Sequence, residues 1–205
     1  MRIGVWGGTF DPVHVGHLLI AERAREQFML DQVRWIPAAL APHVTLKQST
    51  DSNHRLAMVQ LAINGNMSFV CDDRELRRGG KSYTIDTLGE LAQEFPGAEL
   101  FFLMGADSLR EFGNWKHPAE ICKAANIVIV ARGGQPKPDL QALNQYLSTA
   151  KTSEQLERGH LLQMPQVEIS STEIRDRITR GLSIRYAVPA AVEAYIAQQR
   201  LYQTS

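Results

Sequence analysis

The sequence predicts a doubly wound α/β domain, with a mostly parallel sheet and helices on both of its faces. Short apolar runs of strand character alternate with segments of helical spacing along most of the 205 residues. Two of these runs, Phe101–Met104 and Ile127–Val130, are apolar at every position. Such runs are typical of strands covered on both faces, as in a parallel sheet between two helical layers. Right-handed crossovers are expected to connect the strands.

The predicted elements follow one another in regular order. The predicted strands are Ile3–Trp6, Val33–Pro37, Ser68–Cys71, Leu100–Met104 and Ile127–Ala131. The predicted helices are Gly16–Phe28, Asn53–Ile63, Thr84–Phe95 and Pro138–Leu147. Nearer the end of the sequence, a capping-box pattern at Ser170–Glu173 predicts a helix start, and Pro189 opens a last amphipathic helix. Because no repeat or linker divides the sequence, one domain over residues 1–205 is expected.

Composition excludes several classes of function. Lysine plus arginine equals aspartate plus glutamate at 22 each, so no overall field attracts nucleic acid or an anionic membrane. The densest basic group, within residues 74–81, is predicted to be a solvated loop. Cys71 and Cys122 lie far apart without a CxxC pattern, which argues against a zinc site or a disulfide. The sequence shows neither a signal peptide nor a membrane-spanning run, so a cytoplasmic protein is expected.

The most informative segment joins the first strand to the first helix and reads Gly7-Gly8-Thr9-Phe10-Asp11-Pro12-Val13-His14-Val15-Gly16-His17. Unpaired N–H groups and the helix dipole attract anions at such a helix start, which predicts phosphate binding. His14 and His17 flank Gly16 and can donate hydrogen bonds to phosphate oxygens that gain charge in a transition state. The alternative is that one histidine caps a turn and the other packs in the core. The segment is neither GxGxxG nor a Walker A loop, and no HExxH pattern supports zinc.

A second candidate anion site is the helix start at Ser170–Thr172, with Arg175 one turn further on. Taken alone, this pattern favours an ordinary capping box with a surface arginine.

Candidate residues also follow two buried strands, where ligands bind in doubly wound sheets. Gly105 and Asp107 follow one strand, and Asp107 could hold ribose hydroxyls or a metal-bound water, or cap the next helix. Arg132 follows another strand and is either a phosphate ligand or a solvated cation. Trp115 lies in a polar context, where it could stack on a planar ring or cover the core.

The glycine–histidine segment resembles the signature of the HxGH nucleotidyltransferase superfamily, and the chain as a whole resembles bacterial nicotinate-mononucleotide adenylyltransferases. Further stretches that carry the resemblance are Ile36-Pro37, Pro42-His43, Ser82-Tyr83-Thr84, Gly105–Ser108, Trp115, Ile169–Arg175, Tyr195-Ile196 and Leu201-Tyr202. They extend over the whole sequence.

The resemblance implies roles for these residues. It implies catalytic roles at the ATP phosphates for His14, His17 and Arg175. For ATP binding it implies Gly7, Gly8, Thr9, Phe10, Gly16, Gly105, Asp107, Ser170, Ser171 and Thr172. For the mononucleotide it implies that Trp115 stacks on the pyridine ring, that Tyr83 and Thr84 seat its carboxylate, and that Arg132 binds its phosphate.

The sequence departs from the family pattern on the mononucleotide side. The family often has asparagine where this chain has Ala38 and Ala39, and a basic residue where it has Val44. Lys47 is the nearest basic residue downstream and could replace the missing one. Lys116 stands where an aromatic residue is common.

The resemblance implies transfer of the adenylyl group of ATP to nicotinate mononucleotide, with Mg²⁺ carried mainly by the ATP phosphates. Nicotinamide mononucleotide or pantetheine phosphate could be the acceptor instead, and a cytidylyltransferase that uses CTP is a related alternative. A catalytically silent nucleotide-sensing module is an alternative from another class. The sequence leaves open the preference between nicotinate and nicotinamide, the closure of the loop over residues 38–51, and the oligomeric state, a homo-oligomer included.

Overall fold

The computed structural model describes residues 1–40, 49–131, 138, 140, 143, 146, 161–165 and 167–203. Its centre is a six-stranded sheet in the order β3-β2-β1-β4-β5-β6, in which every pair of neighbours is parallel. The strands are β1 (Arg2–Gly8), β2 (Gln32–Pro37), β3 (Phe69–Cys71), β4 (Glu99–Gly105), β5 (Asn126–Ala131) and β6 (Leu161–Gln163). The predicted α/β class is confirmed. The strand order reverses between β1 and β4, which is where such sheets bind ligands.

In the described part of the chain, helices lie between the first five strands and after β6. They are α1 (Val15–Gln27), α2 (Ser52–Ile63), α3 (Arg74–Arg78), α4 (Thr84–Glu94), α5 (Ala106–Glu111), α6 (Pro118–Ala124), α7 (Ser171–Thr179) and α8 (Ala190–Gln198), with a 3₁₀ turn at Phe112–Asn114. Helices α1, α2 and α4 confirm three predicted helices to within one residue at each end. The predicted helix Pro138–Leu147 lies mostly outside the described residues.

Apolar side chains cover both faces of the sheet, which explains the continuously apolar runs. On β5, Ile127 and Ile129 belong to one core cluster, whereas Val128 and Val130 belong to the cluster on the opposite face. All four are buried. Because successive side chains of a strand point to opposite faces, a strand buried on both sides must be apolar at every position.

The prediction of a solvated basic loop within residues 74–81 is wrong for Arg74. This side chain is buried at the start of α3, where it bonds the carboxylate of Asp72 at 2.7 Å and also contacts Glu94 of α4. Asp72 receives a further bond from Arg34 at 3.1 Å. Buried charges are tolerated when they are paired in this way, and α3 supplies the pairing geometry.

The cysteines behave as small apolar residues. Cys71 and Cys122 are both free and half-buried. Burial raises the pKa of Cys71 to about 12 and that of Cys122 to about 11, so both thiols stay protonated. Within the described residues, we find no helix that combines the length and the apolar character needed to cross a membrane.

Candidate active site

A cavity of about 520 Å³ lies beyond the carboxyl end of β1. Its lining residues are Thr9, Phe10, Asp11, His17, Ser49, Ser171 and Arg175. Two helices begin at this cavity, since His17 is in the first turn of α1 and Ser171 is the first residue of α7. Helix N-termini present unpaired N–H groups and positive dipole ends, so the cavity is suited to an anionic ligand.

His14 and His17 form a stacked pair at the start of α1. Their ring centroids lie 3.7 Å apart. His14 is the N-cap residue, and its backbone N–H donates to Nδ1 of His17 at 3.2 Å, while its backbone carbonyl accepts from the backbone N–H of His17 at 3.0 Å. His14 is buried at the helix start, whereas His17 lines the cavity, and the role of the two rings at a phosphate stays a prediction.

The protonation state of His17 follows from these contacts. Burial, together with the neighbouring His14, lowers the pKa of His17 well below its usual value, so the ring is neutral at pH 7. Because Nδ1 accepts the hydrogen bond from His14, the single ring proton of His17 is on Nε2. His17 can therefore act as a neutral hydrogen-bond donor.

Gly16 is required by the packing of the histidine pair. A Cβ atom at this position would lie 3.0 Å from Nδ1 and 3.1 Å from Cε1 of His14. Gly8 has a similar role, since a Cβ there would lie 3.2 Å from the ring of Phe10. Phe10 adopts a left-handed backbone with a φ of 50° and packs edge-on against His17, with 5.2 Å between ring centroids. These glycines let the aromatic rings pack directly on the backbone.

Helix α7 forms the opposite wall of the cavity. Ser170 caps it, because its side chain accepts from the backbone N–H of Glu173 at 3.1 Å. Ser171 donates to the carbonyl of Pro12 at 2.8 Å, and Arg175 donates to the carbonyl of Asp11 at 2.6 Å. The predicted helix start is thus confirmed, and two of its polar side chains hold the loop that precedes α1.

The buried carboxylate of Asp11 connects the loop before α1 to two other segments of the chain. One oxygen accepts from the hydroxyl of Tyr202 at 2.6 Å, and the other accepts from the backbone N–H of Thr50 at 3.0 Å. Burial and the Asp11 carboxylate raise the pKa of Tyr202, so its hydroxyl stays protonated and donates.

Arg55 of α2 is fully buried near Asp11. Its guanidinium donates to the carbonyls of Thr9 at 2.8 Å and Thr50 at 3.0 Å, with a longer contact of 3.5 Å to Ala39. Burial lowers the pKa of Arg55, while the charge of Asp11 opposes the shift. Sequence reasoning assigned no role to Arg55, because an arginine on a helix face is ordinarily expected in solvent.

The residues after β4 lie at the next strand end. Gly105 is the N-cap residue of α5, and a Cβ there would meet nothing within 4 Å. The alternative prediction that Asp107 caps this helix is therefore wrong. Its exposed carboxylate lies 3.9 Å from the guanidinium of Arg110. Since β4 pairs with β1, the open backbone at Gly105 is at the same edge of the sheet as the cavity.

A second cavity of about 90 Å³ lies between the starts of α4 and α6. Its lining residues are Ser82, Tyr83, Thr84, Asn114, Trp115, Lys116 and Ile121. Trp115 packs against Phe112 with 5.5 Å between ring centroids, and one face of the cavity is thus aromatic. Lys116 bonds both carboxylate oxygens of Asp86 at 2.9 and 3.0 Å and lies 4.8 Å from the centre of the Tyr83 ring.

The structure places eight of the predicted residues in two groups. Thr9, Phe10, His17, Ser171 and Arg175 line the first cavity, and Tyr83, Thr84 and Trp115 line the second. Lys47 and Arg132, together with Val44, lie outside the described residues.

Comparison with known proteins identifies the family of the chain. Residues 5–177 match the family described as cytidylyltransferase-like. The chain belongs to this family. Among its relatives, a probable nicotinate-nucleotide adenylyltransferase of Rhodopirellula baltica is 45% identical over 201 residues, which are 98% of this chain and 93% of the relative. A protein of the same description from Synechococcus sp. (strain JA-3-3Ab) is 43% identical over 201 residues, which are 98% of this chain and 94% of the relative.

Solved structures show the same fold at lower identity. Plasmodium falciparum nicotinic acid mononucleotide adenylyltransferase complexed with APC has a TM-score of 0.76 and 19% identity, covering 98% of this chain and 96% of that one. The same protein complexed with NaAD gives the same TM-score and covers 97% of that chain. The resemblance stated from the sequence is therefore confirmed.

Proposed function

We propose that this protein transfers the adenylyl group of ATP to nicotinate mononucleotide, forming deamido-NAD and pyrophosphate. The observation that carries the proposal is the first cavity, where two helix N-termini, His17 and Arg175 face one space. The names of the full-length relatives support the same acceptor. The aromatic second cavity supports a ring-bearing second substrate.

The first cavity is proposed to hold the ATP phosphates. His17 would donate through Nε2, and His14 would fix the ring of His17 by stacking and by its backbone N–H. Arg175 would add positive charge from the opposite wall. Gly7, Gly8 and Gly16 leave the backbone close to the ligand, Ser170 and Thr172 belong to the start of α7, and Gly105 and Asp107 would face the ribose and adenine.

The proposed reaction is a direct displacement. An oxygen of the mononucleotide 5′-phosphate forms a bond to the α-phosphorus of ATP, while the bond from that phosphorus to the pyrophosphate oxygen breaks. A phosphate monoester is already an anionic nucleophile near neutral pH, so no protein base is needed. Catalysis then rests on positioning and on stabilising the charge that develops on the phosphate oxygens. A neutral donor such as His17 suits this task because it requires no proton transfer.

The described lining of the first cavity offers one carboxylate, that of Asp11, beside hydrogen-bond donors such as His17 and Arg175. Asp11 lines the cavity, but both of its carboxylate oxygens already accept hydrogen bonds. We therefore propose that Mg²⁺ binds chiefly to phosphate oxygens of ATP, where it would neutralise charge on the leaving group.

The second cavity is proposed to hold the pyridine ring. Trp115 would stack on the ring, and Tyr83 and Thr84 would seat its carboxylate at the start of α4. We propose that Arg132 and Lys47 bind the phosphate of the mononucleotide. Residues 1–205 are proposed to act as one nucleotidyltransferase domain.

The test is a pyrophosphate-release assay with ATP, Mg²⁺ and one acceptor at a time. Nicotinate mononucleotide is expected to give the highest kcat/KM, above nicotinamide mononucleotide and pantetheine phosphate, and CTP is expected to replace ATP poorly. Equal rates with the two mononucleotides would refute the acceptor specificity but not the reaction class. Binding of ATP without pyrophosphate release from any acceptor would instead indicate a nucleotide-sensing module.

A further inference from the structure

The loop that lines the first cavity is held by two residues from distant parts of the chain. Residues 9–12 leave β1 and cross the cavity before α1 begins. Arg55 reaches this loop from α2, and Tyr202 reaches it from beyond α8. Neither side chain is among the residues that line this cavity.

Arg55 holds two backbone segments with one guanidinium. Nη1 donates to the carbonyl of Thr9, and Nε donates to the carbonyl of Thr50. Thr9 lines the cavity, and so does Ser49, the neighbour of Thr50. A planar guanidinium can serve two such carbonyls at once, whereas an ammonium group on a flexible stem cannot reproduce the fork.

Tyr202 completes a second connection to the same loop. Its hydroxyl donates to one oxygen of the Asp11 carboxylate, and the backbone N–H of Thr50 donates to the other. The hydroxyl of Thr179 in α7 lies 3.2 Å from the carbonyl of Tyr202 and 3.0 Å from that of Arg175, so its one proton is shared between these two acceptors. Helix α7 also supplies Arg175, which bonds the carbonyl of Asp11. Tyr202 and Arg175 therefore both hold the loop at Asp11, Tyr202 through the side chain of Asp11 and Arg175 through its backbone carbonyl.

We propose that Arg55 and Tyr202 are positioning residues of the nucleotide site, which fix residues 9–12 so that the α-phosphorus of ATP is held in line for attack. The inference rests on the proposed assignment of this cavity to ATP. Since misplacement by about 1 Å can cost on the order of 10²-fold in rate, a small relaxation of this loop reduces turnover. The second cavity is lined by other elements, so binding of the mononucleotide is unaffected by Tyr202.

The chain offers a matched control for each variant. Tyr202→Phe removes one hydroxyl that bonds the loop, and Tyr195→Phe removes one that bonds Nδ1 of His54 at 2.9 Å between α8 and α2. Arg55→Lys removes a buried guanidinium group beside the cavity. Arg74→Lys removes a buried guanidinium group that bonds Asp72 in a different part of the fold.

The experiment measures kcat and both KM values for the four variants, at a temperature where circular dichroism shows each to be folded. Tyr202→Phe is expected to lower kcat/KM for ATP about fivefold with an unchanged KM for the mononucleotide. Arg55→Lys is expected to lower kcat on the order of 10²-fold. Tyr195→Phe and Arg74→Lys are expected to keep wild-type values, even where their thermal midpoints fall.

Two results would overturn the proposal. The first is wild-type kcat and ATP KM in both folded loop variants, and the second is an equal loss in each variant and its control, which would indicate a general effect of stability. Calorimetric titration with ATP separates the inference from the proposed function. If wild-type protein releases no pyrophosphate, the proposed function fails, and the inference is then decided by whether Tyr202→Phe, but not Tyr195→Phe, weakens ATP binding.

Discussion

The two cavities differ in how rigidly their walls are held. The walls of the first are held by hydrogen bonds of polar side chains, with Arg55 and Tyr202 bonded to the lining residues Thr9 and Asp11. The second is lined by half-exposed aromatic residues, and its charged contact, Lys116 with Asp86, is at the surface. Transfer of a phosphoryl group needs dipoles fixed before the reaction, whereas a planar ring can be held by any well-placed aromatic face. The difference therefore predicts separate kinetic signatures for the two sites.

The largest expected effect belongs to the first cavity. His17→Ala is expected to lower kcat by about 10²–10³-fold, because it removes a fixed donor to an oxygen that gains charge. The KM for nicotinate mononucleotide is expected to stay within about twofold of wild type, since His17 does not line the second cavity. Steady-state pyrophosphate release measures both quantities.

A matched control for His17→Ala is His54→Ala, which removes a histidine on α2 that bonds Tyr195. This variant is expected to turn over normally. Normal turnover of His17→Ala itself would contradict the role given to the histidine pair.

A smaller effect is expected in the second cavity. Trp115→Ala is expected to raise the KM for nicotinate mononucleotide about three- to tenfold, because an aromatic contact contributes about 0.5–1.5 kcal/mol beyond its buried area. The KM for ATP should not change, and Trp115→Phe should restore most of the loss. If Trp115→Ala instead raised the KM for ATP, the assignment of the two cavities would have to be exchanged.

The smallest effect is a pH dependence of stability from His17. Its pKa in the folded protein lies well below the ordinary value of 6.5, so the unfolded chain binds this proton more tightly. Above pH 6.5, His17 is neutral in both states and does not lower the free energy of unfolding. As the pH falls below 6.5 towards the pKa of the folded state, the free energy of unfolding decreases by at most about 1.4 kcal/mol per pH unit.

His17→Gln removes this titrating group. The free energy of unfolding of the variant should therefore depend less steeply on pH between about pH 7 and pH 5 than that of wild type. Urea denaturation at several pH values measures both slopes. Parallel slopes for the two proteins would show that His17 is not the group that is destabilised by protonation.

Much of the fold could be predicted because its signals are local. Five of the six strands were predicted from apolar runs, and β5 shows why, since burial on both faces forces every residue to be apolar. Helices of three turns or more, such as α1 and α4, are long enough for helical spacing to be visible in the sequence. By contrast, α3 has five residues, too few for a helical period to be visible.

The predictable part of the site is the segment between β1 and α1. The glycines and histidines of residues 7–17 are chemically distinctive at their spacing. Arg55 could not be predicted in the same way, because its partners are backbone carbonyls, which every residue carries. The role of Arg74 was hidden for a related reason, since Glu94 reaches it from another helix. Contacts between distant segments leave no pattern in either segment alone.

The hydrogen bond between Tyr202 and Asp11 joins residues 191 positions apart in the sequence. During synthesis, the loop before α1 leaves the ribosome long before the residue that completes its contacts. The contacts that hold residues 9–12 are therefore complete only after Tyr202 has been synthesised. A contact between residues so far apart in the sequence is expected to form late in folding, after the local contacts of β1 and α1.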